Sequence, residues 1–330
     1  MPSGLFWLGL VVIIALLFDY INGFHDTANA IATSVSTKAL KPQQAVLLAA
    51  VLNFIGALSG TAVASTIGKG IVSPSIVTQD VVVLALLGAI AWNIITWLLG
   101  IPSSSSHALI GGTIGAVIAG HGVYALNWPG LQKIILSLIL SPIIGFSTGF
   151  LIMNLLIILC GRYSPVGVNE IFRRFQLLTA SMMSFSHGSN DAQKTMGIIT
   201  MALVSAGVIS SFHVPLWVIV ACATAMALGT AAGGWRIIRT MGGKIFKIEP
   251  INGFAADLNS SLVILTASHL GLPVSTTHVV SSSIMGVGAS KRAKAVRWGT
   301  ARTIVTAWLL TIPLSGLVSA LLYQVVGIFH

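Results

Sequence analysis

Acidic and hydroxyl-bearing residues recur in two short motifs of an otherwise apolar chain, and each motif occurs once in each half. The first, named here the Asp motif, reads GFHDTANAIAT at 23–33 and GSNDAQKTMGIIT at 188–200. The second, the Pro motif, reads LGIPSSSSHALIGGTIGAV at 99–117 and LGLPVSTTHVVSSSIMGVG at 270–288. The two copies of each motif lie about half a chain apart, so the sequence predicts a tandem duplication of a unit that carries polar, helix-breaking elements.

The Pro motif has the composition of an anion site that carries no full charge. In each copy a proline, Pro102 or Pro273, ends one helix, a run of hydroxyls follows, and an apolar helix begins at His107 or His278. Serine and threonine are preferred helix N-caps, and the free N–H groups of a helix N-terminus carry partial positive charge. Two such termini facing each other would suit a tetrahedral oxyanion, although the hydroxyls could also serve only as caps. The candidate anion ligands are Ser104, Ser105, Ser106, Ser275, Thr276 and Thr277.

The Asp motif supplies the opposite charge. Asp26 and Asp191 lie in apolar surroundings, where an unpaired carboxylate costs roughly 2.5–3.5 kcal/mol on insertion scales. Both therefore need a partner, which is a small hard cation such as sodium, a relayed proton or a buried structural hydrogen-bond network. The neutral neighbours that could complete a cation site with them are Asn22, His25, Asn29, Asn190 and Gln193.

Lys194 breaks the symmetry of the two Asp motifs, because Asn29 occupies its position in the first copy. It lies three residues after Asp191, the spacing of a helical ion pair, so it either contacts the bound anion or neutralises Asp191. Asp19, near the end of the first apolar run, could cap a helix or face an interface. Weaker candidates, which could line the same cavity or hydrogen-bond within it, are His25, Asn93, Asn259, His107 and His278.

The composition predicts an all-α polytopic membrane protein. Apolar residues make up 55% of the 330 residues and charged residues 7%, whereas roughly a quarter of the residues of a soluble domain are charged. Apolar runs of bilayer-spanning length recur along the chain, and together with the motifs they predict about 10–12 membrane-embedded segments. The net charge of +10 is spread over short clusters between these runs, a pattern that indicates membrane topology and argues against nucleic acid as a partner.

The basic clusters predict that the two repeats have inverted topology. If basic loops face the cytoplasm, the loop after the first Asp motif, with Lys38 and Lys41, lies inside, whereas the equivalent loop at 203–213 has no Lys or Arg and lies outside. The loops that flank the Pro motifs are reversed in the same way. Each Pro motif must then turn back within the membrane as a re-entrant helical hairpin, the two hairpins must enter from opposite faces, and both termini fall outside. The predicted units are a first transmembrane repeat at 1–160, a short cytoplasmic linker at 161–175 and a second transmembrane repeat at 176–330.

At these residues the chain resembles the PiT family of inorganic phosphate transporters, in its short bacterial, low-affinity permease form. The Asp motifs look like the paired signature of that family, the second Pro motif resembles its hydroxyl-rich hairpin, and the match spans both halves. The resemblance implies symport of inorganic phosphate with sodium ions or protons, broken helices within inverted repeats, and a homodimer in the cell membrane. It also implies cation coupling at Asp26, Asn29, Asn190 and Asp191, and phosphate binding at Ser104–Ser106 and Ser275–Thr277.

The sequence therefore predicts a multi-pass secondary transporter of the cytoplasmic membrane that works by alternating access, with no enzymatic activity and no cofactor apart from the co-transported cation. A sulfate permease of the same superfamily is an alternative, because sulfate is also tetrahedral. An intramembrane phosphatase is a further alternative, but no arginine lies in a motif to clamp a phosphoryl transition state. A passive anion channel has no need for two buried carboxylates.

Overall fold

The computed structural model describes residues 2–73 and 76–328. Residues 74–75 and the chain ends, Met1 and 329–330, lie outside the described residues, so the structure carries no information on the predicted orientation of the termini. Within the described ranges the regular structure is helical, and strand-like pairing is limited to an isolated bridge between Val72 and Leu126.

The helices form two series of six in the same order. The first series is α1 (Pro2–Ser36), α2 (Pro42–Ala57), α3 (Ala62–Gly70), α4 (Gln79–Leu99), α5 (Ser105–His121) and α6 (Trp128–Cys160). The second series is α7 (Pro165–Ser205), α8 (Leu216–Ala232), α9 (Trp235–Arg239), α10 (Pro250–His269), α11 (Thr276–Lys291) and α12 (Trp298–Ile328). In both series the first helix carries the Asp motif, and the Pro motif joins the fourth helix to the fifth.

The helix lengths confirm an all-α membrane protein. By length and composition α1, α4, α6 and α12 can each cross a bilayer, and α7 is 41 residues long but has a polar middle. The second and third helices of each series form a broken span, bent by 71° between α2 and α3 and by 59° between α8 and the segment 235–244, which includes α9 and the π-helical turn that follows it. The predicted broken helices therefore occur at the same place in both halves.

Each Pro motif forms a helical hairpin with a short non-helical tip. Gly100 and Gly271 follow the first helix of their hairpins in the left-handed conformation, with φ of +66° and +64°, which glycine adopts without a steric penalty. Ser104 and Ser275 then cap the second helix, each accepting the backbone N–H of the histidine three residues later, at 3.1 and 3.2 Å. At each tip the second helix therefore begins with a buried, hydroxyl-capped N-terminus, as expected for an anion site.

The two series of helices are intertwined. The helix α6 packs against α10 and α11 of the second half, and α12 packs against α4 and α5 of the first half. The helices with the Asp motifs are exchanged in the same way, since α1 packs on α8 and α7 packs on α2. Each hairpin is therefore held by the last helix of the other half.

The connection between the two halves is shorter than the linker predicted at 161–175. Only residues 161–164 lie between α6 and α7, because 165–175 forms the first turns of α7. The Ser164 hydroxyl accepts the Gly167 N–H at 3.3 Å, and Pro165 occupies the first helical position, where its missing N–H costs nothing. Because of this N-cap, α7 begins at Pro165 and includes the polar residues 165–175, which contain no apolar run.

Close helix contacts require glycine in both Asp motifs, which gives a first prediction. A Cβ atom at Gly23 would collide with the Met226 carbonyl of α8, and one at Gly188 with the Asn53 carbonyl of α2. Gly188→Ala is expected to lower the free energy of unfolding by about 1–3 kcal/mol. The added methyl group would push α7 away from α2, and the two helices would lose packing contacts. The measurement is the thermal unfolding midpoint in detergent. The control is Gly9→Ala, where an added Cβ meets no atom within 4 Å; equal midpoints for the two variants would contradict this packing.

Candidate ion site between the two hairpins

The tips of the two hairpins meet in the interior of the protein. The rings of His107 and His278, equivalent residues in the first turns of α5 and α11, lie with centroids 4.3 Å apart. The Ser106 hydroxyl of the first tip donates to the Val274 carbonyl of the second at 3.3 Å. His278 also stacks on Trp308 of α12, at 4.0 Å between centroids. The hydroxyl-rich N-termini of α5 and α11 therefore face a shared region.

Asp26 contacts both hairpins. Its carboxylate accepts the Ser105 hydroxyl at 3.0 Å and the Thr277 hydroxyl at 3.4 Å, one from each Pro motif. The Nδ1 atom of His25 lies 2.6 Å from the same carboxylate, and Nε2 of that ring lies 3.3 Å from the Thr96 hydroxyl. Asp26 is 2% exposed, so hydroxyl and imidazole groups surround a buried carboxyl group.

Asp191 is fully buried and contacts a cation of the chain itself. Its carboxylate accepts the Thr276 hydroxyl at 2.8 Å and forms an ion pair with the Lys194 ammonium. The His187 Nε2 atom, one turn earlier on α7, lies 3.2 Å from Asp191 Oδ2. Asp191 is thus neutralised within its own helix, whereas Asp26 has no lysine or arginine partner in the described part of the chain.

Lys194 joins the second Asp motif to the first hairpin. Besides Asp191, its Nζ atom donates to the Ser106 hydroxyl at 2.5 Å and to the Val274 carbonyl at 2.8 Å. Of the two roles considered for this residue, the neutralisation of Asp191 is present in the structure, and the contact with Ser106 brings the same ammonium to a candidate anion ligand. The equivalent residue, Asn29, donates to the hydroxyls of Thr277 at 2.9 Å and Thr276 at 3.4 Å.

His187 belongs to this site although the sequence analysis did not select it. Ligand atoms of Asp26, His187 and Asp191 all lie within 4.8 Å of one another, a spacing that a metal ion could occupy. The available signal was its position, four residues before Asp191 and therefore on the same helix face, at the place that Asn22 has in the first repeat. A histidine in a repeat of uncertain register is a weak signal without the fold.

The hydrogen bonds of His187 show which of its ring nitrogens is free to bind a ligand. Asn53 Nδ2 donates to Thr230 Oγ1 at 2.9 Å, so Asn53 Oδ1 is an acceptor, and it lies 3.0 Å from His187 Nδ1. Nδ1 of the ring therefore carries a proton, and Nε2 faces a carboxylate oxygen of Asp191 at 3.2 Å. Either a proton on Nε2 or a bound cation satisfies the contact between these two atoms.

The side chains of Gln193, a predicted cation ligand, and Asn259, predicted to line the cavity, make their hydrogen bonds away from the hairpin tips. Gln193 turns to the bend between α2 and α3, where its Oε1 accepts the Val63 N–H at 2.8 Å and so satisfies a free donor at the start of α3. Asn259 donates to the Gly145 carbonyl at 2.8 Å and to the Ser283 hydroxyl at 2.7 Å, which joins α10 to α6 and α11. Both side chains stabilise helix packing.

The other predicted residues lie near the site in supporting positions. Asn190 donates to the Ser268 hydroxyl at 2.9 Å and so attaches α7 to the second hairpin, while its Oδ1 has no hydrogen-bond partner within the described ranges. Asn93 is buried on α4, and its Oδ1 and Nδ2 atoms also have no hydrogen-bond partner among the described residues. Ser104 and Ser275 use their hydroxyls as helix caps. The structure therefore brings together Asp26, Asn29, Asp191, Lys194, Ser105, Ser106, Thr276 and Thr277.

Repeated broken helices, with hydroxyl-rich hairpin tips against buried carboxylates, define an integral membrane protein with a candidate ion site in its interior. Comparison with known proteins identifies its family. Residues 22–319 match the Phosphate transporter family, and the chain belongs to that family. It is 56% identical over 321 residues to a "Probable low-affinity inorganic phosphate transporter" of Bacillus subtilis (strain 168), with 96% of both chains covered. It is 51% identical over 315 residues to a protein of the same description from Rhizobium meliloti (strain 1021), covering 95% of this chain and 94% of that one.

A solved structure has the same fold. The structure described as "The sodium-dependent phosphate transporter" superposes with a TM-score of 0.88 at 27% sequence identity, covering 98% of this chain and all of the other. The agreement extends over both series of helices.

Proposed function

We propose that this chain is a secondary active transporter that carries inorganic phosphate together with sodium ions or protons across the cytoplasmic membrane. One observation carries the proposal. Hydroxyls at two facing helix N-termini converge with two buried carboxylates, so one buried site offers ligands for an anion and for a cation.

The anion ligands are neutral or singly charged donors. The N-termini of α5 and α11 supply partial positive charge, and Ser105, Ser106, Thr276 and Thr277 supply hydroxyls. In the described structure three of these hydroxyls donate to carboxylates, and the fourth, that of Ser106, donates to a backbone carbonyl. Hydroxyls can rotate, so the same groups can donate to the acceptor oxygens of a phosphate. The ammonium of Lys194 is close enough to Ser106 to contact the same anion.

The cation ligands are Asp26 and Nε2 of His187, with Asp191 beside them. A sodium ion bound by the carboxylates, or a proton on His187 Nε2, would make the short contact between Nε2 and the Asp191 carboxylate favourable. A bound cation lowers the electrostatic free energy of placing an anion next to Asp26. A bound anion lowers the free energy of binding the cation in the same way. Binding of the two is therefore coupled through charge.

The electrical work of phosphate uptake explains why a coupled cation is needed. An inside-negative membrane potential opposes the entry of each negative charge by about 2.3 kcal/mol per 100 mV. Phosphate is a mixture of monoanion and dianion near neutral pH, so at least one cation must accompany it to cancel this work. The site has a fixed positive charge at Lys194, but that charge remains with the protein and cannot drive uptake.

The inverted repeats suggest how access alternates. A site between two repeats of opposite orientation can open to either side by equivalent motions of one repeat against the other. The polar side chains of the site are at most 7% exposed, as in a state closed to both sides. From the loop charges we place both termini on the non-cytoplasmic side of the cytoplasmic membrane. From the family resemblance we assign the functional unit as a homodimer.

Radiolabelled phosphate uptake into proteoliposomes tests the function. Sodium and pH gradients are imposed separately. We expect one of the two gradients to drive accumulation of phosphate against its own gradient, and we expect no accumulation when neither gradient is present. Unlabelled phosphate should compete and sulfate should not. Equal competition by sulfate would favour the sulfate permease, and entry that only equilibrates phosphate in every condition would indicate a channel.

A further inference from the structure

A second group of buried oxygen atoms lies on α1, and the site described above does not include it. Asp19 is seven residues before Asp26, which is about two helical turns, and it is fully buried. Neither of its carboxylate oxygens has a hydrogen-bond partner among the described residues. An unsatisfied buried carboxylate is costly, so this side chain requires a ligand or a proton.

Two further orphaned oxygens surround it. The side chains that act on the Asp19 carboxylate are those of Asn22, one turn further along α1, of Thr195 on α7 and of Cys222 on α8. Asn22 is 1% exposed and Thr195 is fully buried, and within the described ranges Asn22 Oδ1 and Thr195 Oγ1 make no hydrogen bond. With the two oxygens of Asp19 itself, four buried oxygen atoms on α1 and α7 therefore lie together without a hydrogen bond among the described residues.

The orientation of Thr195 points to a ligand. A threonine within a helix usually returns its hydroxyl proton to the carbonyl four residues earlier, as Thr27 does to Gly23 and Thr200 does to Met196, both at 2.7 Å. Thr195, in the middle of α7, does not make this bond in the described structure. Its hydroxyl lies beside the Asp19 carboxylate, so its lone pairs remain available to a cation there.

The group has no counterpart in the second repeat. Ser184 stands at the position equivalent to Asp19, and its hydroxyl donates to the Ala180 carbonyl at 2.7 Å. The charges of the two repeats are thus redistributed. The second repeat neutralises its own aspartate with Lys194, while the first repeat carries an additional acidic residue whose neighbours, over the part of the chain that is described, include no basic side chain.

We propose that Asp19, Asn22 and Thr195 form a sodium site, separate from the group of Asp26, His187 and Asp191. Carboxylate, amide and hydroxyl oxygens are the ligands that a hard cation takes. A single carboxylate with two neutral ligands matches a monovalent ion, because a divalent ion would leave an uncompensated charge in a buried site. The position of Asp19 on α1, with Asp191 as the neighbouring charge, couples this ion to the main site. Only its role in transport depends on the proposed function; the binding of sodium does not.

Sodium binding in the absence of phosphate tests the site. Purified protein in detergent, with choline as the replacement cation, is titrated with radiolabelled sodium, and sodium-dependent thermal stabilisation is measured in parallel. Asp19→Asn and Thr195→Val are each expected to weaken one component of sodium binding about 10-fold or more, as the loss of a ligand or its charge does at other metal sites. Asp26→Asn should remove a different component. Ser184→Ala, at the equivalent position of the second repeat, is the matched control and should bind sodium like the wild type.

Wild-type sodium isotherms for both Asp19→Asn and Thr195→Val would overturn the proposal. So would a changed pH dependence of stability in Asp19→Asn with unchanged sodium binding, since Asp19 would then hold a proton. If Asp19→Asn does not fold, Thr195→Val, which keeps the size of the side chain, decides alone. A wild type that takes up no phosphate under any gradient would refute the proposed function, and a sodium component that depends on Asp19 would still support the site.

Discussion

Asp26→Asn is expected to abolish cation-coupled phosphate uptake while the protein still inserts and folds. Asparagine keeps the size of the side chain. Ser105 and Thr277 donate to different oxygens of the Asp26 carboxylate, so in the variant one hydroxyl donates to the amide oxygen and the other rotates to accept from the amide N–H, which keeps a contact with each hairpin. What is lost is the negative charge that a coupled cation requires. Removing it should reduce gradient-driven uptake about 100-fold, at the upper end of the effects seen when the surroundings of a bound metal are altered.

The measurement is initial uptake in proteoliposomes, with the amount of inserted protein quantified for each variant. Glu170→Gln is the matched control, because it makes the same acid-to-amide change at an exposed residue that pairs with Arg173 on α7. Its uptake should equal that of the wild type. Wild-type uptake by Asp26→Asn would remove Asp26 from the coupling mechanism.

Lys194→Asn is expected to have the second large effect, because it gives the second Asp motif the residue of the first. The variant leaves Asp191 buried without its ammonium, and breaking a buried ion pair by the loss of one partner costs about 3–5 kcal/mol. Unfolding in detergent should therefore occur at a lower temperature than for the wild type. High sodium should restore part of the loss, since a dissolved cation can replace the ammonium at Asp191. Uptake should fall strongly, because Ser106 and Val274 also lose their donor.

A double-mutant cycle separates the ion pair from other effects of the substitution. Asp191→Asn in the Lys194→Asn background removes the unpaired charge, so the double variant should be more stable than Lys194→Asn alone. Equal stability of these two variants, with or without sodium, would show that Lys194 does not neutralise Asp191 in the folded protein.

The main features of the site were predictable because they follow from charge and backbone chemistry. The inverted loop charges predict that the two hairpins enter from opposite faces of the membrane. Two such hairpins can bring their tips, the Pro motifs, to the same depth. The same reasoning places Asp26 and Asp191 near both tips. The hydroxyl caps at Ser104 and Ser275 follow from local helix chemistry, which a sequence contains in full.

Other features depend on which helix packs against a given face, and a single sequence does not contain that information. Gln193 follows Asp191 by two residues and so lies on another face of α7, where the bend between α2 and α3 offers it free backbone donors. The ring of His187 is oriented by Asn53 of α2, which accepts its Nδ1–H, and the sequence of α7 alone does not show this partner. The helical start at Ser164 was missed because a capped polar segment does not show the apolar periodicity of a membrane helix.

The exchange of terminal helices between the halves has a consequence for the order of synthesis. The first hairpin, α4 and α5, leaves the ribosome long before α12, the helix that packs against it. During translation it has no complete protein surface to bury its broken backbone, and lipid cannot satisfy those groups. Burial of the first hairpin is therefore expected to be complete only after α12, the last helix of the chain, has been made.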